Sequence, residues 1–401
     1  MTITTPQTTA ATRNLALATL AFGVGFWAWN IIAPLAASYR EDLGLDSTQN
    51  SILVAMPVLV GSLGRIPVGA LTDRFGGKRM FAILSFLSTI PVLLVMLAGN
   101  ANSYLGLLAS AFLLGIAGTS FAAGIPFVNA WYEPQHRGKA TGIFGAGMGG
   151  TALSAFFTPR FVDWFGYTAT HLILVAALIV TGLLVLAFMQ DSPAWRPNND
   201  PVVPKLMGAA RLAVTWQMSF LYAVTFGGFV AFSTYLPTYL KVVYDFSQTD
   251  AGTRTAGFAL AAVIARPLGG TLSDRLGPRP VVLTSLAGAA VLAVVIALEP
   301  EPEIPAGTSF VIMAFSLGLG AGGVFTWVAQ RSPADRVGAI TGIVGAAGGL
   351  GGFFPPLVMG ATYDEAGNDY AIGLALLCVT ALVAFAFVLL RLRGQARQPA
   401  S

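Results

Sequence analysis

The stretch Gly64-Arg65-Ile66-Pro67-Val68-Gly69-Ala70-Leu71-Thr72-Asp73-Arg74-Phe75-Gly76 returns 201 positions later as Ala265-Arg266-Pro267-Leu268-Gly269-Gly270-Thr271-Leu272-Ser273-Asp274-Arg275-Leu276-Gly277. In each copy an arginine stands eight residues ahead of an Asp-Arg pair: Arg65 before Asp73-Arg74, and Arg266 before Asp274-Arg275. Both arginines lie inside apolar runs, where a lone charge costs about 2.5–3.5 kcal/mol on insertion scales. Eight residues of helix rise ~12 Å, so each arginine is expected near the middle of a helix whose end carries the aspartate. The apolar runs hold no carboxylate to pair with either arginine. The expected partner is therefore a substrate anion.

Only 10% of the 401 residues are charged and 55% are hydrophobic, with a mean hydropathy of +0.72. A soluble domain carries about 25% charged residues, so the chain reads as a polytopic membrane protein whose main partner is the lipid bilayer. Its apolar runs reach about 20 residues, enough for a helix to cross ~30 Å of hydrocarbon. They are continuous rather than alternating, which selects helices over a barrel. The single cysteine, Cys378, excludes an intrachain disulfide and a cysteine-based metal cluster. His136 and His171 are too few and too far apart for a metal site, and no cofactor is expected. The N-terminus lacks the pattern of a cleavable signal peptide.

Twelve spans are expected, at roughly 15–38, 50–72, 79–98, 103–131, 139–161, 168–189, 214–240, 252–273, 280–298, 307–329, 337–362 and 370–390. Alternate loops then differ sharply in charge. One side collects 16 of the 22 basic residues: Arg13, Arg74, Lys78, Arg79, Arg137, Lys139, Arg196, Lys205, Arg211, Arg275, Arg279, Arg331, Arg336, Arg391, Arg393 and Arg397. The other has Arg40, Arg160, Lys241 and Arg254, and most of the acids, including Glu41, Asp42, Glu299, Glu301, Glu303, Asp364, Glu365 and Asp369. By the positive-inside rule both termini are expected in the cytoplasm. The basic pI, near 9.3, thus reports topology and not nucleic-acid binding.

The longest polar interruption, 190–213, contains Asp191-Ser-Pro-Ala-Trp-Arg-Pro-Asn-Asn-Asp-Pro201 and has a linker's composition. It divides the chain into an N-terminal six-helix bundle, 1–189, and a C-terminal one, 214–401. A second internal match, Thr141-Gly142-Ile143-Phe-Gly145-Ala146 against Thr341-Gly342-Ile343-Val-Gly345-Ala346, lies at an offset of 200. Parallel halves about a central site suit alternating access.

The loop that follows each arginine, Gly69 to Arg79 and Gly270 to Arg279, resembles the signature loop of the major facilitator superfamily and occurs twice, in corresponding places. The resemblance implies an all-α membrane protein of the major facilitator fold, with twelve transmembrane helices in two pseudo-symmetric six-helix bundles. Asp73, Arg74, Asp274 and Arg275 are then expected to act in gating, the aspartates binding basic groups or capping neighbouring helix ends.

Spans five and eleven are rich in glycine: Gly142-Ile-Phe-Gly145-Ala-Gly147-Met148-Gly149-Gly150, and Gly342-Ile-Val-Gly345-Ala-Ala-Gly348-Gly349-Leu-Gly351-Gly352. Small residues let helices approach closely. Gly145, Gly149, Gly345 and Gly349 are candidates to border the anion. Paired arginines with such glycine runs, and the span-seven stretch Trp216-Gln-Met-Ser-Phe-Leu-Tyr222-Ala-Val-Thr-Phe226-Gly227, resemble the nitrate/nitrite porter (NarK-type) family over essentially the whole chain. The resemblance implies that Arg65 and Arg266 grip the anion while Tyr222, Phe226 and Phe121 enclose it. Tyr222 and Phe226, four apart, share a helix face. Where that family carries Gly-Asn in span five, this chain has Gly147-Met148.

Two buried cations make an empty carrier costly to reorient, and a bound anion lowers that cost. The expected activity is exchange of small inorganic anions, nitrate inward against nitrite outward, by a monomer in the cell inner membrane. Proton-coupled transport of nitrate or nitrite, and export of another organic anion or drug, are the alternatives. No Asp or Glu lies deep in a span to serve as a proton relay, and His171 sits at a span edge. An enzyme is not expected, because no nucleophile–base pair or phosphate-cradling loop is present.

Overall fold

The chain folds, in a computed structural model describing residues 6–198, 201–333, 336–364 and 370–392, almost entirely as helices. Twelve are long and apolar enough to cross a membrane: Thr9–Leu43, Ser47–Phe75, Gly77–Asn100, Tyr104–Trp131, Ala140–Phe165, Tyr167–Phe188, Ala213–Tyr244, Gln248–Leu276, Pro278–Ala297, Ile304–Arg331, Val337–Ala361 and Ala371–Arg391. These are spans 1 to 12, and each expected span has its counterpart. Arg393, Arg397, Glu365 and Asp369 lie outside the described residues, as do part of the 190–213 segment and the side chain of Lys139.

The spans run longer than the apolar runs because their ends take in polar residues, and side chains cap the starts of spans 2, 4 and 8. Span 2 starts with a capping box: Asp46 Oδ1 accepts from the Gln49 N–H at 2.7 Å, and Gln49 Oε1 from the Asp46 N–H at 3.1 Å. Gly76 and Gly277, at φ 88° each, turn the chain out of spans 2 and 8 in a conformation that only glycine adopts cheaply. The linker is more ordered than its proline content implies, since Val202–Ala210 forms a nine-residue helix within it.

Several spans are broken. Span 1 is interrupted after Trp29, span 2 at Gly64, span 4 by a 3-10 turn at Gly115–Thr119, span 5 by another at Ala146–Gly149, and span 11 between Gly351 and Phe354. Spans 7, 8 and 10 run through without a break, despite Pro237 and Pro267.

At the face opposite the linker, the two groups of six spans are fastened together. Ser38 Oγ donates to Gln248 Oε1 (2.6 Å), and Gln248 Nε2 to the Pro34 carbonyl (2.8 Å). Lys241 pairs with Glu41 (2.7 Å), Arg160 Nη2 donates to Thr253 Oγ1 (2.7 Å), and Ser51 Oγ donates to Tyr235 Oη (3.2 Å). Gly252 rests directly on the Ala155 carbonyl and Gly360 on Ser51, so the backbones themselves touch. Toward the linker face the picture reverses: a side chain at Gly145, Gly149, Gly342 or Gly345 would meet nothing within 4 Å.

Candidate functional site

Arg65 opens the second helical segment of span 2, immediately after the break at Gly64. A side chain at Gly64 would strike Thr119 and the Val60 carbonyl, and one at Gly115 would strike Val60. These two glycines let spans 2 and 4 touch backbone to backbone, which carries Phe121 up to Arg65. The Arg65 guanidinium carbon lies 5.3 Å from the Phe121 ring centre. Each arginine stands at the same depth, eighteen residues after the start of its span (Ser47 to Arg65, Gln248 to Arg266).

Both guanidiniums share the same two phenyl rings. Arg65 is 5.5 Å from the Phe226 ring; Arg266 is 5.7 Å from Phe121 and 5.5 Å from Phe226. The rings present their negative faces to cations, a contact worth about 0.5–2 kcal/mol depending on desolvation. Tyr222 stacks on Phe226 with centroids 4.8 Å apart and planes within 3°. Its ring is seated on Gly348 of span 11, where a Cβ would collide with it.

The arginines also reach across between the halves in opposite senses. Arg65 Nη1 donates to the Gly345 carbonyl of span 11 at 2.8 Å. Arg266 Nη1 contacts Met148 Sδ of span 5 at 2.6 Å, while its Nη2 donates to Tyr222 Oη at 2.9 Å. Tyr222 spends an oxygen lone pair on Arg266 and keeps its own proton to donate. Arg65 is 5% exposed and its Nε has no partner. Arg266 is only half-buried, so the two arginines are not equally enclosed. Among the described residues neither forms a salt bridge with a carboxylate; the pairs seen are Lys241–Glu41 and Arg254–Glu303, both at the face away from the linker.

The sequence-expected residues therefore separate. Arg65, Arg266, Tyr222, Phe226 and Phe121 converge. Gly145, Gly149 and Gly345 border open space beside them, and Gly345 offers its carbonyl to an arginine. Gly349 is close-packed against Ser62, with Arg65 Nη1 3.4 Å from the place of a Cβ. Asp73, Arg74, Asp274 and Arg275 are exposed at the linker face, away from the arginines. The carboxylate that caps the loop after span 2 belongs to Asp191, which accepts from the Lys78 N–H at 3.0 Å and packs on Gly76. The Asp73 carbonyl accepts from the Asn198 N–H at 3.0 Å, a second tie between this loop and the linker.

Two neighbours were not anticipated. Phe325 of span 10 lies 5.4 Å from the Arg266 guanidinium and meets Tyr222 edge-on at 4.6 Å. The 200-residue offset between the halves leads from Phe121 to Ala321, one helical turn short of Phe325, so the duplication does not point to it. Met148 stands where the resembled family carries Asn; the sequence marked that position as a departure but gave no sign that the methionine itself would meet Arg266.

A family model of the Major Facilitator Superfamily matches residues 17–354 and, again, 245–401. A relative from Mycobacterium tuberculosis named "Probable nitrate/nitrite transporter NarK2" is 59% identical over 388 residues, covering 97% of this chain and 98% of its own. The chain belongs to the nitrate/nitrite transporters of the major facilitator superfamily. It belongs, that is, to a family of transporters and not of enzymes. Other members include the Bacillus subtilis "Nitrite extrusion protein", 34% identical over 94% of this chain and 93% of its own. The Thermus thermophilus "Probable nitrate/nitrite antiporter NarK1" is 35% identical over 86% and 84%. The fold recurs in the crystal structure of the human organic anion transporter MFSD10 at a TM-score of 0.73 and 13% identity, over 96% of this chain and all of that one.

Proposed function

We propose that this protein exchanges nitrate for nitrite across the cell inner membrane, as a monomer, with both termini in the cytoplasm. The observation that carries the reading is the pairing of Arg65 and Arg266 over the shared rings of Phe121 and Phe226, with no carboxylate partner among the described residues. A planar, weakly hydrated monovalent anion fits between flat apolar walls, and guanidinium forks match its oxygens. At ~4 Å and an effective dielectric of ~20, each arginine contact is worth ~4 kcal/mol before desolvation. The excess of basic residues on the linker side supports the orientation. The linked face away from the linker then makes this the cytoplasm-facing state.

Exchange follows from the charge. Without an anion, two cations must cross the rocking motion unneutralised; with one, about half that charge is cancelled. Proton coupling is the rival mode, and His171 is the observation that favours it. The imidazole is fully buried, with Nδ1 on the Tyr167 carbonyl at 2.8 Å and Nε2 unpartnered. It lies against Tyr167, away from the two arginines.

The test is labelled-nitrate uptake into liposomes, with internal nitrite present or absent, for wild type, Arg65→Lys and Arg266→Lys. Uptake that requires internal nitrite and is lost in both variants is the expected result. Uptake driven by an inward proton gradient into nitrite-free liposomes would replace exchange with symport. Failure to move either anion under any condition would sink the reading.

A further inference from the structure

Arg266 is held by two contacts of unequal strength. Tyr222 Oη is an ordinary acceptor at 2.9 Å, whereas Met148 Sδ, the contact of Nη1, is a thioether and among the weakest acceptors a protein offers. We propose that Met148 is an affinity-setting residue: its sulfur covers Arg266 Nη1, and an anion that binds there displaces it. This rests on the anion-site reading of the two arginines.

The local structure favours such a displaceable cover. Met148 sits in the 3-10 turn Ala146–Gly149 and is 3% exposed. Gly147, before it, is packed on the Phe22 ring, which fixes the backbone. Gly149, after it, borders open space, so the turn is unpacked on that side. An unbranched thioether with three rotatable bonds rearranges easily. No polar group at 148 would be left unpaired when the sulfur departs.

The corresponding contact in the other half behaves oppositely. Arg65 Nη1 is bonded at 2.8 Å to the Gly345 carbonyl, a backbone group that cannot swing aside, while its Nε is buried with no partner. Arg65 thus keeps its cross-half bond and presents the waiting Nε–H. Arg266 exchanges sulfur for an anion oxygen. The bound anion replaces one weak contact and satisfies one orphan donor.

The prediction has a sign for each substitution. Met148→Leu removes the sulfur, leaves Nη1 uncovered, and tightens nitrate binding several-fold. Met148→Gln supplies an amide oxygen that holds Arg266 more strongly, and weakens nitrate binding by about tenfold, the worth of one charge-assisted hydrogen bond. A residue that merely filled space would shift both variants the same way.

The experiment is calorimetric titration of purified wild type, Met148→Leu and Met148→Gln with sodium nitrate and sodium nitrite, with thermal unfolding of each protein as a folding check. Opposite shifts in Kd support the proposal. Variants that bind like wild type, or shift together, overturn it while leaving the anion site intact. If Met148→Gln fails to fold, an unchanged Kd in Met148→Leu is enough to overturn it. Wild type that binds neither anion overturns the anion-site reading, and this proposal with it.

Discussion

Tyr222 is the residue at which most of the site's interactions meet. Its ring stacks on Phe226, meets Phe325 edge-on and rests on Gly348, and its hydroxyl accepts from Arg266. Tyr222→Phe keeps every ring contact and removes only the hydroxyl. A hydrogen bond to a charged group is worth about 1.5–3 kcal/mol, so the Michaelis constant for nitrate should rise roughly tenfold or more. The unfolding temperature should barely move, because the packing is retained. An unaltered Michaelis constant in the liposome assay would show that the hydroxyl neither positions Arg266 nor donates to the anion. At this scale the two arginines were legible in the sequence, because a charge kept in an apolar run needs a partner; the partners the structure gives them are a backbone carbonyl for Arg65 and a tyrosine hydroxyl for Arg266. The aromatic half was legible only through resemblance, since a phenylalanine in a membrane span looks the same whether it faces a cation or another phenylalanine. Phe325 falls in that blind spot, whereas Met148 was marked only as the residue that replaces the resembled family's Asn.

At the scale of elements, the N-terminal half's share of the site coincides with the places where helices break, whereas Tyr222, Phe226, Arg266 and Phe325 lie in unbroken spans. Arg65 follows the break in span 2, Phe121 follows the 3-10 turn in span 4, and Met148 lies within the one in span 5. The twelve spans themselves follow from hydropathy and length. Their breaks do not, because each depends on what the neighbouring helix presses against it. Glycines show the same dependence: Gly348 carries the Tyr222 ring, whereas Gly342, earlier in the same helix, faces open space. By helix propensity alone, Gly→Ala at either position should help, by about 1 kcal/mol. At Gly348 the methyl must displace the ring, and overpacking of this kind typically costs about 1–3 kcal/mol. Gly348→Ala should therefore lower the unfolding temperature and impair nitrate uptake, while Gly342→Ala leaves both unchanged or slightly improved. Equal behaviour of the two variants would mean that the Tyr222 ring is not seated on span 11 as described.

For the whole molecule, the decisive asymmetry is between its two faces. Hydrogen bonds and the Lys241–Glu41 ion pair fasten the halves opposite the linker, and the glycine faces of spans 5 and 11 open toward it. The duplication that predicts two similar halves is visible in the sequence, but which face is closed is not, because both closures use the same residues in different company. Exposed ion pairs such as Lys241–Glu41 contribute little, so the weight rests on Gln248, which bonds both Ser38 and the Pro34 carbonyl, and on Arg160, which bonds Thr253. At a net ~0.5–1.5 kcal/mol per hydrogen bond, the double variant Gln248→Ala/Arg160→Ala should weaken this closure by about 1.5–4.5 kcal/mol. That is enough to move a balanced two-state carrier by tenfold or more toward the alternative state. A reporter follows from the open space at Gly342: Gly342→Cys in a Cys378→Ser background should react with a membrane-impermeant maleimide added on the linker side. In the double variant the labelling rate should fall at least several-fold, and saturating nitrate should alter it by shifting the same equilibrium. Labelling that is equally fast with and without the two substitutions would mean that the contacts opposite the linker do not hold the carrier in this state.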